Sequence, residues 1–264
     1  WISVKQGTDA ALAMAMGHVI LREFYLHRQA EYFEDYVRQY TDMPMLVRLV
    51  KQGDKMVPDR LLRASDFADN LGETNNPDWK TVAYDETSES IVVPRGSVGF
   101  RWGEKGKWNL EEKQSDGEET NLQLTFANDK DELADVGFPY FGNREHDHFA
   151  GTSHPSVLVR KVPAKRVKTK DGNILVASVF DLFVANYGLD RGFGGEHVAK
   201  SYDENVPYTP AWAEKITGVP RDQIITVARE FALNAEKTKG RSMVIIGAAM
   251  NHWYHCDMNY RGVI

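Results

Sequence analysis

The last part of the chain places small and polar residues in an order that suits a phosphate-bearing ligand. An apolar run at 243–246 leads into Gly247 and Ala248, and Asn251 and His252 follow. We interpret the run as a strand. In α/β proteins, a strand is often followed by a loop that begins with glycine and then by a helix, and this arrangement presents backbone N–H groups to such ligands. The amide and the imidazole would add donors. On spacing alone, a structural loop with a satisfied histidine fits equally well.

A second set of residues with chemical potential is the triplet Gly7-Thr8-Asp9, which precedes an alanine-rich apolar run. Gly7 permits a close backbone approach, Thr8 offers a hydroxyl, and the carboxylate of Asp9 can accept two parallel N–H donors such as those of a guanine edge. The same residues also fit a plain helix N-cap, in which the oxygen of Thr8 or Asp9 accepts a hydrogen bond from the first turn. Spacing alone favours the N-cap.

Other reactive side chains give weaker signals. His252 and His255 are three residues apart, and residues 145–148 read Glu-His-Asp-His, which are spacings compatible with metal ligands. Neither group has a convincing third and fourth ligand, and the histidines of the second fit an exposed loop, so we expect no bound metal. The single cysteine, Cys256, excludes an internal disulfide and cannot alone hold an iron–sulfur cluster. No nucleophile elbow, phosphate-cradling lysine loop or dinucleotide signature is present. We therefore predict no catalytic residue in this chain.

Composition limits the possible partners. The 264 residues are 42% hydrophobic and 27% charged, as in an ordinary globular protein, and the net charge of −6 argues against nucleic-acid binding. No apolar run reaches the roughly 18–20 residues that span a bilayer, so we expect no direct membrane span and a soluble chain. The chain begins at Trp1 rather than at a methionine and stops within an apolar run, so we expect an internal piece of a longer protein.

The order of the predicted elements indicates an α/β fold with three segments. Residues 1–44 read as the end of a strand, a buried helix and an aromatic helix at 29–40 whose aromatic side chains we expect in the core. Residues 45–177 read as a β-rich insertion with long loops, including a hairpin with Lys-Asp-Gly-Asn at its turn. Residues 178–264 return to helices, with starts at Pro210 and Pro220, and end in the predicted strand and loop. This pattern predicts an α/β domain with parallel strands.

Several long stretches resemble one known family. They read GTDAALAMAMGHVI at 7–20, VGFRWGEKGKWNLE at 98–111, YTPAWAEKITGV at 208–219 and RSMVIIGAAMNHWYH at 241–255. They resemble the catalytic subunits of respiratory, membrane-bound nitrate reductases, which are molybdopterin oxidoreductases of the dimethyl-sulfoxide-reductase superfamily. The resemblance runs from Trp1 to Ile264. The chain departs from it at Pro220, where a serine cap is usual, and at Cys256, where an aliphatic residue is usual.

The resemblance implies a cofactor and assigns residues to it. The cofactor would be molybdenum bis(molybdopterin guanine dinucleotide), with the triplet against the guanine dinucleotide part and the loop against the pterin. The implied cofactor-binding residues are Gly7, Thr8, Asp9, Gly247, Ala248, Asn251 and His252. Some relatives carry Gln in place of His252. The family's aspartate ligand to molybdenum and its four-iron cluster have no matching segment in this chain, so the cluster would belong to the parent subunit alone.

The resemblance also implies a function for the parent protein. Such subunits reduce nitrate to nitrite with electrons from quinol, delivered through an iron–sulfur beta subunit and a membrane haem gamma subunit, on the cytoplasmic face of the cell membrane. The chain on its own is expected to be inactive. Two alternatives remain: a related molybdenum enzyme that reduces selenate, chlorate or perchlorate, or a non-catalytic scaffold domain.

Overall fold

The computed structural model describes residues 1–28, 30–95, 113–114, 117–128, 132–140 and 156–264. These residues form helices and strands in two compact units. One unit comprises Trp1–Phe33 and Tyr187–Ile264, and the other comprises Glu34–Asn186. Helices and strands therefore both contribute, as the sequence predicts, while the division at 1–44, 45–177 and 178–264 stays a prediction.

The unit at 34–186 is built around a closed barrel. Its strands follow the order β1-β2-β5-β6-β7, and a separate pair, β3 and β4, forms a two-stranded sheet. The strands are β1 Leu46–Gln52, β2 Lys55–Leu61, β3 Ala83–Asp85, β4 Ser90–Val92, β5 Glu132–Tyr140, β6 Ser156–Thr169 and β7 Gly172–Ser178. Neighbours are antiparallel except β2 and β5, which pair in parallel at Met56 and Val136.

Two sequence signals account for the barrel. The predicted Lys-Asp-Gly-Asn turn joins β6 to β7, with Thr169 paired to Gly172 at the hairpin's end, which confirms that prediction. Alternation along the strands turns one set of side chains inward, where they form one apolar cluster together with Leu182 and Ala185 of the helix that follows β7. Its members are Val47, Leu49, Ala134, Val136, Phe138, Val162, Ala164, Leu175, Ala177, Leu182 and Ala185.

Helix α3 (Val179–Asn186) follows β7 and is fixed at both ends by buried polar side chains. Asp181, which is fully buried, accepts hydrogen bonds from the Thr125 hydroxyl at 2.6 Å and from the Phe126 backbone N–H at 2.8 Å. Arg160 of β6 donates to the carbonyls of Ala185 and Asn186, both at 2.8 Å. These contacts satisfy the free carbonyls at the end of the helix.

The other unit is helical in its described residues. It contains α1 Asp9–Ile20, which continues as a π-helix at Leu21–His27, then α4 Pro210–Thr217, α5 Arg221–Thr238, α6 Ala248–Asn251 and α7 Cys256–Val263. Helix α2 (Glu31–Tyr40) crosses from this unit into the other. Small residues let the helices pack closely: Ala15 of α1 and Ala213 of α4 meet Val219 and Ile224 in one cluster.

The predicted helix signals at 209–220 are confirmed. Pro210 is the first residue of α4, and the Thr209 hydroxyl accepts a hydrogen bond from the Trp212 N–H at 3.2 Å. Gly218 ends α4 in the left-handed conformation. Helix α5 follows directly after Pro220.

Two segments predicted as strands are not strands. Residues 1–4 and 243–246 belong to neither sheet, and the described part of their unit contains no strand, although an isolated β-bridge joins Leu189 and Ala199. A strand needs a neighbour for its backbone hydrogen bonds, and these segments find none among the described residues. The apolar side chains of Trp1, Met243 and Ile245 are exposed, with Met243 at 77% and Ile245 at 81%.

The aromatic helix is also less buried than predicted. Within α2 only Val37 is buried, whereas Tyr36 is 44% and Tyr40 is 59% exposed. The two tyrosine rings lie 4.9 Å apart and contact each other. A helical aromatic stripe therefore marks a shared face, but the described residues do not cover that face.

No helix in the described residues is both long and apolar enough to cross a membrane.

Candidate functional site

The triplet Gly7-Thr8-Asp9 forms a tight turn at the start of α1. Gly7 has a φ of +78°, a conformation that side chains disfavour, and an added Cβ there would meet no atom within 4 Å. The Thr8 N–H and hydroxyl both donate to the Lys5 carbonyl, at 3.1 and 2.6 Å. The Lys5 N–H donates in turn to the Thr217 carbonyl at 2.9 Å, which anchors the turn to the end of α4.

The N-cap predicted for this helix is wrong in its chemistry. Thr8 occupies the cap position, but its hydroxyl donates backwards to Lys5 and accepts nothing from the first turn of α1. The acceptor is supplied from far along the chain: Asn259 of α7 accepts from the Ala10 N–H at 3.1 Å through Oδ1. Its amide nitrogen also donates to the Gly7 carbonyl at 3.3 Å.

The carboxylate of Asp9 is left with unused hydrogen-bonding capacity. Its Oδ2 is buried and has no hydrogen-bond partner among the residues that the structure describes. Asp9 lies in the first turn of α1, where the helix dipole favours a negative charge. A buried carboxylate oxygen without a donor costs free energy, so this atom is a place where a ligand's N–H groups would be accepted.

The second predicted segment is an exposed turn that leads into a short helix. Gly247 precedes α6, and its Cβ position is open for at least 4 Å. Gly247, Ala248, Asn251 and His252 are all exposed. The Tyr260 hydroxyl donates to Asn251 Oδ1, which leaves the Asn251 amide nitrogen as the available donor.

Helix α7 connects the two segments. Asn259 contacts Gly7 and Ala10, and the adjacent Tyr260 contacts Asn251. Gly262 lets α7 approach α1, because a Cβ at Gly262 would lie 2.5 Å from the Cβ of Ala10. The structure thus brings both predicted segments against one helix.

Sequence reasoning missed the three residues of α7 that make this arrangement. A signal existed: Asn259 and Gly262 are poor helix formers, yet both stand inside the eight-residue α7. Such residues persist in a helix when a hydrogen bond or a close packing contact requires them.

Metal binding has no support among the described residues, where no three potential ligands cluster. His255 directly precedes α7 with a φ of +57°, and its ring lies 3.9 Å from that of Tyr254. The acidic–histidine run at 145–148 and the 98–111 stretch lie outside the described residues, as does Gln29 at the predicted start of α2.

One titratable cluster in the same unit is structural. Glu23 accepts from Arg229 Nε at 2.8 Å, from Arg229 Nη2 at 2.7 Å and from the Tyr202 hydroxyl at 2.9 Å. The hydrogen bonds from Arg229 hold the pKa of Glu23 below its usual value, while burial, with help from Glu23, raises that of Tyr202. These contacts tie the π-helical segment to α5.

In the other unit, a cavity of about 560 Å³ is lined by barrel strands. Its lining carries both signs of charge, including Glu132 of β5 and Arg166 of β6, which form an ion pair at 2.9 Å. None of the predicted site residues lines this cavity.

Comparison with known proteins shows which class of protein the chain resembles. The chain is 58% identical over its whole length to the respiratory nitrate reductase 1 alpha chain of Escherichia coli (strain K12) and spans 21% of that protein. It is 42% identical to the nitrate reductase alpha chain of Bacillus subtilis (strain 168), of which it spans 20%. It is 26% identical to the perchlorate reductase subunit alpha of Dechloromonas aromatica (strain RCB), of which it spans 21%. No protein-family model matches the chain.

These relatives are alpha subunits of nitrate and perchlorate reductases, which form a class of oxyanion reductases, and the chain is similar to one segment of such subunits. Within it, the chain matches one segment of the nitrate reductase alpha chains, because its identity to the two nitrate reductase chains is far above its identity to the perchlorate enzyme. It spans about a fifth of the length of the curated relatives it matches.

Proposed function

We propose that this chain is part of the cradle for a molybdenum bis(molybdopterin guanine dinucleotide) cofactor in a nitrate reductase alpha chain. The observation that carries the proposal is the buried, unpartnered Oδ2 of Asp9 beside the open Gly7 turn. A carboxylate in that position accepts two parallel donors, which is the pattern a guanine edge offers. Homology to nitrate reductase alpha chains supplies the cofactor class.

The guanine end of the cofactor would be held by Gly7, Thr8 and Asp9. Charge-assisted hydrogen bonds such as those to Asp9 are roughly twice as strong as neutral ones. The positive φ of Gly7 turns the backbone without a side chain, so a ligand can lie against it. Thr8 is committed to Lys5, so its part is to shape the turn.

The pterin end would be held by Gly247, Ala248, Asn251 and His252. Gly247 and Ala248 offer exposed backbone with little side chain in front of it. Because Tyr260 occupies Asn251 Oδ1, the Asn251 amide nitrogen would donate to the ligand. His252 is exposed and would add a second donor.

The bound cofactor would supply the two-electron oxygen transfer that converts nitrate to nitrite. The residues of this chain bind and orient the cofactor and tune its surroundings, and none of them is assigned a proton transfer. The single cysteine cannot hold the parent's four-iron cluster. An iron–sulfur beta subunit, a haem gamma subunit and a location on the cytoplasmic face of the membrane belong to the same proposal for the parent.

The exposed segments at 1–4 and 243–246 fit this setting. Both carry apolar side chains, of which Met243 and Ile245 are exposed while Ile2 and Val4 pack against the cluster of α1 and α4. Both also flank the helices that carry the proposed site. In the parent they would be parallel strands of a sheet completed by chain outside this sequence, which would cover Met243 and Ile245. This is the part of the predicted α/β molybdopterin domain that one segment cannot form alone.

A second candidate is a related molybdenum oxyanion reductase. The 26% identity to a perchlorate reductase subunit keeps this reading open, since residues that choose the oxyanion need not lie in this segment. A non-catalytic scaffold role is the third reading.

The experiment is made on the full-length subunit with its partners. Molybdenum is quantified, and oxidation of reduced viologen is followed with nitrate, chlorate, selenate and dimethyl sulfoxide. We expect about one molybdenum per subunit and the highest kcat/KM with nitrate, while this chain alone turns over none of them. Molybdenum with preference for another acceptor would transfer the function to the second candidate, and absence of molybdenum would leave the scaffold role.

A further inference from the structure

We propose that Asn259 is a positioning residue that holds the Asp9 carboxylate in place for the guanine. The inference rests on the cofactor assignment above and adds a residue that does not itself touch the ligand. The amide of Asn259 joins α7 to the turn in front of α1, and both partners of that amide flank Asp9 in the chain.

The beginning of α1 depends on a side chain from another helix. Thr8 stands at the cap position, but its hydroxyl donates to the Lys5 carbonyl. The helix therefore has no side-chain cap of its own. The first N–H groups of a helix need acceptors, and leaving them free permits the first turn to fray. Asp9 is the first residue of that turn.

The amide of Asn259 accepts one hydrogen bond and donates another. Its Oδ1 accepts from the Ala10 N–H at 3.1 Å, and its Nδ2 donates to the Gly7 carbonyl at 3.3 Å. Gly7 and Ala10 bracket Thr8 and Asp9, so one side chain fixes both ends of the short stretch that carries the carboxylate. The amide supplies both because it carries an acceptor oxygen and a donor nitrogen on one planar group.

The side chain of Asn259 is buried. Asn259 is 4% exposed, so its hydrogen bonds are shielded from water and are not readily replaced by it. Removing the amide leaves the Ala10 N–H and the Gly7 carbonyl without their partners. The turn would then sample other orientations, and Asp9 Oδ2 would face the guanine donors for only part of the time.

The test measures cofactor release from the full-length subunit, as molybdenum and guanine nucleotide lost during dialysis, together with hydrogen exchange at the Ala10 amide. Asn259→Ala is expected to speed release about tenfold and to raise exchange at Ala10.

Combining it with Asp9→Ala is expected to add nothing to the effect of Asp9→Ala, because both changes disable the same contact. The matched control is Thr209→Ala, which removes a buried cap from α4 in the same unit and should leave release unchanged.

Where Asn259→Ala does not fold, Asn259→Ser provides the same test. The hydroxyl is neutral and polar but too short to bridge Gly7 and Ala10 as the amide does, so the subunit should fold and still lose its cofactor faster. Release at the wild-type rate in the Asn259 variants, or effects that multiply with Asp9→Ala, would overturn the positioning role. Wild-type release in Asp9→Ala itself would instead overturn the guanine assignment, so the two failures are distinguishable.

Discussion

Replacing Asp9 by alanine in the full-length subunit is expected to release its cofactor much faster. The change removes the carboxylate that would accept from the guanine edge, and losing such charge-assisted hydrogen bonds costs about 2–3 kcal/mol. A tenfold change corresponds to about 1.4 kcal/mol, so release should rise roughly 30- to 150-fold. The measurement is the molybdenum and guanine nucleotide retained after stringent dialysis.

Asp9→Asn is the matched control. It preserves the size of the side chain but replaces one acceptor oxygen with a donor, so one guanine contact remains and the other becomes unfavourable. Retention should therefore lie between that of the wild type and that of Asp9→Ala. Full retention in Asp9→Ala would show that the carboxylate does not hold the cofactor, whatever the behaviour of Asp9→Asn.

Replacing Gly262 by valine should separate α7 from α1 and disturb both proposed halves of the site. The Cβ would lie 2.5 Å from the Cβ of Ala10 and 3.2 Å from its Cα, and backbone cannot yield as a side-chain tip can. Overpacking of this kind costs about 1–3 kcal/mol. We expect faster hydrogen exchange at the first amides of α1 and reduced molybdenum content.

Met258→Val controls for the effect of a valine on the helix itself. Met258 lies on the same helix but is 53% exposed, so the change alters helix propensity without a clash. Its exchange and molybdenum content should match those of the wild type. If Gly262→Val behaves in the same way as this control, the close contact between α1 and α7 is not needed for the site.

Local rules were sufficient to predict several elements from the sequence. Thr209 and Pro210 begin α4, Gly218 ends it, and the turn after Thr169 closes a hairpin. Each of these depends on residues that are close in the chain, where backbone preference and one side-chain hydrogen bond decide the outcome.

The errors share a different cause, which is that the deciding partner is distant or lies outside the chain. The run at 243–246 has the composition of a strand, but a strand forms only beside a neighbour, and the described residues provide none. The cap of α1 is Asn259, which is 249 positions from Ala10. Tyr36 and Tyr40 have core-like spacing on a face that the described residues leave exposed.

The residues of the candidate site were predicted from the sequence, but the contacts that bring them together were not. The triplet and the Gly247 segment came from spacing together with the family resemblance. The poor helix formers Asn259 and Gly262 mark α7 as a helix under a tertiary constraint, but no local pattern says which segments Asn259 and Tyr260 contact. That arrangement is tertiary, and it follows from the close approach of α7 to α1 that Gly262 permits.

The most direct measurement is an experimental structure of the full-length subunit with its cofactor bound. If the chain cradles the guanine as proposed, both carboxylate oxygens of Asp9 will lie within hydrogen-bonding distance of the guanine edge, at about 2.7–3.2 Å from its nitrogen donors. Asn259 will still hold Gly7 and Ala10 in that structure. A guanine edge bound by other residues, with Asp9 Oδ2 facing protein or water, would contradict the account.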